Sequence, residues 1–447
     1  NCSGDGNVLF NCYPNSGQTG DGQKLAWKLG GAQSAIAVSG HNLVPGPGIV
    51  ASSPWIVYNE TRTIQEQPYL WVNKNGERFI DESISNNHMA ISTGIANQPN
   101  GESYIVFDED TRRHLEEDGV DYMYFIFPVE KLTDIPGQFK TLINEKGNKH
   151  VFMTDTIEEL CAQSGIDQAG LEETLDRYNG YCDNGEDEEF GKDAKYLRPV
   201  RKGPFYAMRV FCAGYDTIGG IKVNGKMQVI REDGKAIPGL YAAGDVAGGC
   251  PQKYVTGALV EGEIAAETIL KDLKQEEEGQ QSEGQASKEQ LEKLAQAVDQ
   301  EYESCFAEKK SFFGTEQIEE AMQKVMDAYA GGIGTNYRYN EKQLNIAEEK
   351  IDQLFALTKD LTAKDTDDLL HIYEVKERLV VCKSVIAHLK ARKETRWRGF
   401  GQNMDYPGTK DDWDKKAVNS VYENGKIKIL FSDLTQTPDF GQKGGTL

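Results

Sequence analysis

The chain has 447 residues, too many for one ordinary core, so two or three domains are expected. Acidic residues outnumber basic ones by 71 to 49, a formal charge of −22. That balance argues against nucleic acid or an anionic membrane surface as the main partner and leaves a basic protein or a soluble small molecule. No apolar run approaches the length of a membrane span and the opening residues do not read as a secretory signal, so a cytoplasmic setting is expected.

"SGQTGDGQKLAWKLGGA" has a polar start at Thr19, a helical stretch with Leu25, Ala26 and Leu29 on one side, and a Gly-Gly stop. "YLWVNKNGERFIDE" reads as a hairpin, because apolar residues alternate on both sides of Asn75-Gly76, a pair suited to a type I′ turn. "SYIVFDED" is a strand, and "DTIEELCAQSG" and "LEETLDRYNGYCDNG" are helices. From "GPFYAMRV" to Gly244 the chain is again strand-rich, with a second Asn-Gly turn at Asn224-Gly225. A helix from about Gly257 to Leu273 then runs into "KQEEEGQQSEGQASKEQ", which has the composition of a mobile linker.

Beyond it, four segments from "KEQLEKLAQAVDQEY" to "TDDLLHIYEVKERLVVCKSVIAHLKARK" carry apolar residues at three- and four-residue spacing, as the helices of a small bundle do. The tail, "SVYENGKIKILF", returns to an extended pattern around a third Asn-Gly. Cys2, Cys12, Cys161, Cys182, Cys212, Cys250, Cys305 and Cys382 are scattered, with no C-x-x-C among them. Spacing therefore encodes neither a zinc ribbon nor an iron–sulfur cluster, and the thiols read as reduced and mostly structural, with Cys250 the one candidate for a reactive thiol.

One stretch raises a chemical question. In "IPGLYAAGDVAGG", residues 237–249, an apolar strand ends in Gly244-Asp245 and more glycines, and "TGALVEGEIAAETIL" follows as a helix with small residues at its start. A turn capped by Asp245 accounts for most such pairs. A strand, a Gly-Asp corner and a small-residue helix N-terminus also suit a polyol and a ring system lying against backbone.

With "TGDG" at 19–22, "VNKNGERFIDE" at 72–82, "LEETLDRYNGYCDNGEDEEFGKD" at 171–193, "GPFYAMRV" at 203–210 and "TIGGIKVN" at 217–224, that stretch resembles the fumarate reductase/succinate dehydrogenase flavoprotein family. The signatures occur in the family's order and cover nearly the whole chain. The helical region, with "MQKVMDAYAGGI" and "LKARKETRWRGFGQNMDYPGTKDDW", and the segment "QKYVTGALVEGEIAA" are most similar to the adenylylsulfate reductase branch. The resemblance implies an α/β FAD-binding domain in two parts (1–60 and 201–274), an inserted α+β capping domain (61–200), a linker (275–290) and a C-terminal helical domain with an extended tail (291–447). It also implies that Gly244 lets backbone approach FAD and that Asp245 accepts hydrogen bonds from the ribityl hydroxyls. Thr256, Gly257, Ala258 and Leu259 would then place a helix N-terminus under the flavin's pyrimidine edge.

Two departures matter. The family opens with a G-x-G-x-x-G unit that grips the ADP half of FAD, and no G-x-G-x-x-G occurs here. The expectation is that upstream sequence or a separate polypeptide supplies it. The dicarboxylate chemistry is also altered. The family's proton-donating arginine is matched by Asn86, its histidine pair by Tyr215-Asp216, and its substrate-clamping arginine by Lys253. A lysine lacks the bidentate guanidinium fork, and Asp216 would repel a dianion, so fumarate and succinate are not the expected substrates. The adenylylsulfate reductase pattern departs too, with Gln252 in place of its histidine.

Candidate proton donors are His88, Tyr215 (oriented by Asp216) and Lys253. A structural histidine, a buried tyrosine bonded to a carbonyl, and a turn-capping aspartate are the competing readings. Arg62, Arg396 and Arg398 read mainly as surface or structural residues. The leading expectation is an FAD-dependent reductase or dehydrogenase that transfers hydride between flavin N5 and an activated carbon, such as that of an unsaturated carbonyl compound. Its electrons would come from a separate iron–sulfur or flavin partner. A sulfur-oxyanion reductase and a non-catalytic assembly subunit are the alternatives.

Overall fold

The structure is a computed structural model, and it describes residues 19–43, 61–85, 87–123, 129–248, 254–277, 287–307, 312–396, 401–423 and 425–433. Its centre is one sheet built from distant parts of the chain. The strands are β1 (Gln33–Leu43), β2 (Leu70–Val72), β3 (Glu102–Phe107), β4 (Val151–Thr154) and β5 (Phe205–Ile221). After the hairpin of β6 (Gln228–Ile230) and β7 (Ala236–Tyr241), and a two-residue parallel pair, β8 (Arg338–Tyr339) with β9 (Gln402–Asn403), come β10 (Lys416–Glu423) and β11 (Lys426–Asp433). The main sheet runs β11-β10-β1-β5-β3-β2, with β4 also on β5, and every pairing in it is antiparallel.

Alternation along the strands makes two cores from one sheet. Trp71, Ile105, Phe107, Tyr206, Met208 and Val210 face one side, where Tyr206 stacks on Phe107 at 4.9 Å between ring centres. Leu70, Val72, Tyr104, Val106, Phe205 and Ala207 face the other, against Leu160 of helix Ile157–Ser164 and Leu171, Leu175 and Tyr178 of helix Gln168–Asn184. The sequence motifs at 72–82 and 171–193 meet in a buried charge cluster. Arg78 donates to both Glu82 and Asp187 at 2.8–2.9 Å, and Lys192 donates to the Tyr178 hydroxyl at 3.0 Å. Burial alone would raise the Asp187 carboxyl, but the Arg78 hydrogen bonds and charge outweigh it and hold the group down to about 2.

The described α-helices of eight or more residues are α1 (Asp21–Lys28), α2 (His88–Ala96), α3 (Glu109–Glu117), α4 (Ile157–Ser164), α5 (Gln168–Asn184) and α6 (Tyr254–Glu277), then α7 (Lys288–Phe306), α8 (Thr315–Tyr329), α9 (Glu341–Leu357) and α10 (Thr366–Ala391). Ile318, Met322 and Val325 of α8 and Leu344, Ala347 and Ile351 of α9 are buried at three- and four-residue spacing against Ile372, Val375 and Leu379 of α10. The side chain of Asp365 accepts the Asp367 and Asp368 amides and starts α10. This 26-residue helix also lies against α1, β1 and β10.

Two sequence expectations are corrected and one helix is added. In α1 the buried residues are Ala26 and Trp27, whereas Leu25 and Leu29 are exposed, because Trp27 inserts beneath the sheet and stacks on Tyr422. The turn after β2 is not type I′. Asn73 pairs with Glu77 around a three-residue loop, and only Gly76 (φ +78°) is left-handed, the pattern of a type I turn closed by a glycine bulge. Helix α3 was not expected at all, since Thr111 and Leu115 are its only buried residues. Among the described residues no helix is long and apolar enough to cross a membrane, and no cluster of metal-ligating side chains occurs.

Candidate functional site

Strand β7 leads into a short 3₁₀ turn, Gly244–Val246, and the next two residues pack against the end of β5. Ala247 bridges Ile221 in parallel, and the Gly248 amide donates to the Ile221 carbonyl at 2.8 Å. Glycine makes this crossing feasible. A Cβ on Gly220 (φ +144°) would lie 2.7 Å from both the Gly248 nitrogen and the Val246 oxygen, and one on Gly248 would lie 2.1 Å from Ser34 Oγ. Ser34 Oγ donates to the Gly220 carbonyl at 2.9 Å and ties β1 to the same point.

The Thr19–Gly22 segment closes a third side. A Cβ on Gly22 would approach Val246 Cγ2 to 2.7 Å. Three segments therefore converge, each contributing a glycine where a side chain would collide with its neighbour.

On the remaining side lies the start of α6. Gly244 is left-handed (φ +71°), its added Cβ would come 3.4 Å from Ala258, and its amide donates to Glu261 Oε2 at 2.8 Å. Asp245 is exposed beside it. On the first turns of α6, Gly257 and Ala258 are half-buried, Thr256 is exposed, and Leu259 is 69% and Val255 72% exposed. Apolar side chains this exposed next to a backbone-lined corner leave room for a planar apolar group.

Of the residues singled out from sequence, Gly244, Asp245 and Ala258 come together here with Gly220 and Gly22. Tyr215 and Asp216 lie on β5, where Asp216 pairs with Ser39 and Gly214 with Gly40, so Tyr215 is the extra residue of a β-bulge. Asp216 is four residues from Gly220, about 13 Å along an extended strand. His88 is the first residue of α2, which packs on β1 and β5 and is started by the Asn87 side chain accepting the Ala90 amide. The side chains of His88, Tyr215 and Asp216, and the whole of Asn86, Cys250, Gln252 and Lys253, lie outside the described residues, as does the side chain of Arg62. Arg396 is structural as expected: with Arg392 it grips the buried Glu394. Arg398 lies outside the described residues.

Sequence reasoning did not single out Glu261, Ser34 or Gly248. Glu261 was legible in principle, since it stands three residues beyond Ala258 on one helix face.

The fold and corner define a flavoprotein. Residues 9–257 match the FAD binding domain family, and the chain belongs to that family, whose cofactor is FAD. It is 32% identical to vinyl phenol reductase of Lactiplantibacillus plantarum over 52% of this chain and 47% of that protein, and 29% identical to urocanate reductase of Eggerthella lenta over 52% and 34%. The chain thus spans about half or less of the length of these relatives. A solved structure of E. coli quinol fumarate reductase is 16% identical, with a TM-score of 0.54 over 98% of this chain and 66% of that one, a likeness of fold alone.

The described residues fit the flavin half of the cofactor. An exposed carboxylate at Asp245 and the exposed Leu259, beside a corner whose glycines let three segments pack within contact distance, match a backbone-hugging polyol and ring system.

Proposed function

We propose that this chain is the flavin-bearing part of a reductase that saturates a carbon–carbon double bond in a substrate other than a simple dicarboxylate. The observation that carries the reading is the convergence of Gly22, Gly220, Gly244 and Gly248 into one backbone-lined corner inside the family match. Gly244 and Asp245 hold the ribityl chain, and the α6 N-terminus, Thr256 to Leu259, supports the pyrimidine edge. FAD, when bound, supplies a two-electron donor able to place hydride on an activated carbon. The ADP half is held by a polypeptide segment with the phosphate-binding glycine pattern absent from this sequence. Electrons arrive from a separate redox partner.

The substrate class rests on two arguments. Two of the relatives are named for vinyl phenol and urocanate, both unsaturated and neither a simple dicarboxylate, and others are named for fumarate, so the relatives support a double-bond substrate while the case against a dianion rests on the residues. Asn86, Tyr215-Asp216 and Lys253 replace the groups that would protonate and clamp a dianion. The proton for the second carbon comes from His88, Tyr215 or Lys253. The bulge at Tyr215 supports a functional role for that residue, because bulges are over-represented next to active sites.

The test is a visible spectrum of native protein, followed by oxidation of dithionite-reduced protein with 4-vinylphenol, urocanate, methyl vinyl ketone or fumarate. A flavin spectrum and reoxidation by one of the first three, with fumarate inert, is the expected result. A colourless protein after purification with its native partners would overturn the reading.

A further inference from the structure

The Thr19–Gly22 segment has a second neighbour, and it comes from the far end of the chain. Thr19 Oγ1 and Lys24 Nζ both reach the carboxylate of Glu377 on α10, each at 3.4 Å, and Lys24 and Glu377 are only 15% and 16% exposed. One turn further along α10, Val381 fills the space over Gly20. A Cβ on Gly20, which is left-handed at φ +91°, would lie 2.4 Å from Val381 Cγ2. The segment is therefore held on both sides, by Val246 of the Gly-Asp corner and by Glu377 and Val381 of α10.

The helix is no remote appendage to this corner. Val380 belongs to the same core as Trp27, Ile221 and Val229, with Val246 packed against it.

We propose that α10 is a working part of the flavin site, with Glu377 as the positioning residue that fixes Thr19–Gly22 for FAD. This rests on the flavin reading of the corner. The carboxylate suits the task. It accepts from a hydroxyl on the loop and from an ammonium one turn into α1, so one group fixes both the loop and the helix that follows. Burial lowers the Lys24 ammonium from its ordinary value, with Lys28 and Lys376 acting in the same sense, and Glu377 is the opposing influence that favours its charged form. Removing Glu377 leaves a half-buried cation without its carboxylate and Thr19 without that acceptor. The loop between them then loses its anchor while α10, held by α8 and α9, stays folded.

The experiment compares FAD binding by flavin fluorescence, in protein purified with its native partners, in the wild type, Glu377→Gln, Lys24→Met, the Glu377→Gln/Lys24→Met double variant, Lys24→Arg and Asp245→Ala, together with amide exchange of residues 20–28. Glu377→Gln is expected to weaken FAD binding about ten-fold, the loss of one charge-assisted contact. It should also speed exchange in 20–28 but not in α8 or α9. Lys24→Arg should bind FAD as the wild type does, and the double variant should lose less than the sum of its parts. Unchanged FAD affinity in Glu377→Gln beside a loss in Asp245→Ala would overturn the proposal and leave the corner's role intact. Exchange that rises equally in α8 and α9 would make Glu377 a general stabilising residue and would also overturn it. If neither Glu377→Gln nor Asp245→Ala alters FAD binding, the flavin reading fails and the proposal fails with it.

Discussion

Gly220→Ala probes the crossing on which the candidate site depends. The new methyl group would stand 2.7 Å from the Gly248 nitrogen and from the Val246 oxygen, and 2.8 Å from the Ala247 carbonyl carbon. All three are backbone atoms, so no side chain can rotate away. Holding alanine at φ +144° costs about 1–3 kcal/mol, and overfilling a tight contact costs about 1–3 kcal/mol more. Relief by movement would break the 2.8 Å bond from Gly248 to Ile221. The expected loss is about 2–6 kcal/mol in urea unfolding followed by circular dichroism, together with loss of bound flavin. Gly225→Ala is the control: a Cβ there meets nothing within 4 Å, and its stability should change by no more than about 0.5 kcal/mol. A loss below about 1 kcal/mol for Gly220→Ala would show that the crossing is not as close as described.

Acid should act on two groups in succession. Burial pushes the His388 imidazole, which lies 3.0 Å from Ser420 Oγ, down to about 4 from an ordinary 6.5. The unfolded chain therefore takes up that proton first. Stability should fall between pH 6.5 and 4, by at most about 3 kcal/mol, and His388→Gln should flatten that slope in urea midpoints measured against pH. The Asp187 contribution is complete above pH 3.8 and disappears as pH falls through about 2, so Asp187→Asn should flatten the acid limb of a thermal stability profile there. Gly262→Ala, in the interior of α6 with nothing within 4 Å of the added Cβ, should stabilise the protein to heat by about 0.5–1 kcal/mol, and destabilisation would mean that another surface packs on it. Fumarate reduction by dithionite-reduced protein should be negligible even in the Asn86→Arg/Lys253→Arg double variant. Turnover on the order of 1–1000 per second would show that Asp216 does not face the substrate.

Local chemistry was legible in the sequence where it is written in neighbouring residues. The strand–glycine–aspartate–helix order around Gly244, the helices at 157–164 and 168–184, and the C-terminal hairpin closing at Glu423 and Lys426 all follow from short-range pattern. Side-chain choice within α1 did not, because periodicity cannot weigh one tryptophan stacked on Tyr422 against two leucines. Helix α3 escaped notice because its charged residues are stabilised by their own ion pairs, Arg112 with Glu109 and Glu116, and not by an apolar stripe. Glu377 was beyond reach for another reason. Its partners Thr19 and Lys24 lie more than 350 positions away, and no spacing rule connects them.

The pairing of β1 with β10 has a consequence for how the molecule is made. Gln33 and Ser420 are about 390 positions apart, and β1 must also find β5 across an intervening stretch of about 170 residues. Local helices can form as the chain leaves the ribosome, but β1 waits through the synthesis of about 390 further residues with an unsatisfied edge. Loops of this size close slowly, and an open strand edge in the interval is a template for pairing with another chain. The hairpin Lys416–Asp433 finally covers that edge at Gln33, which pairs with Ser420. Removing it should therefore reduce the yield of soluble protein through aggregation during synthesis, over and above the loss of its packing on Trp27 and α10 in the finished fold.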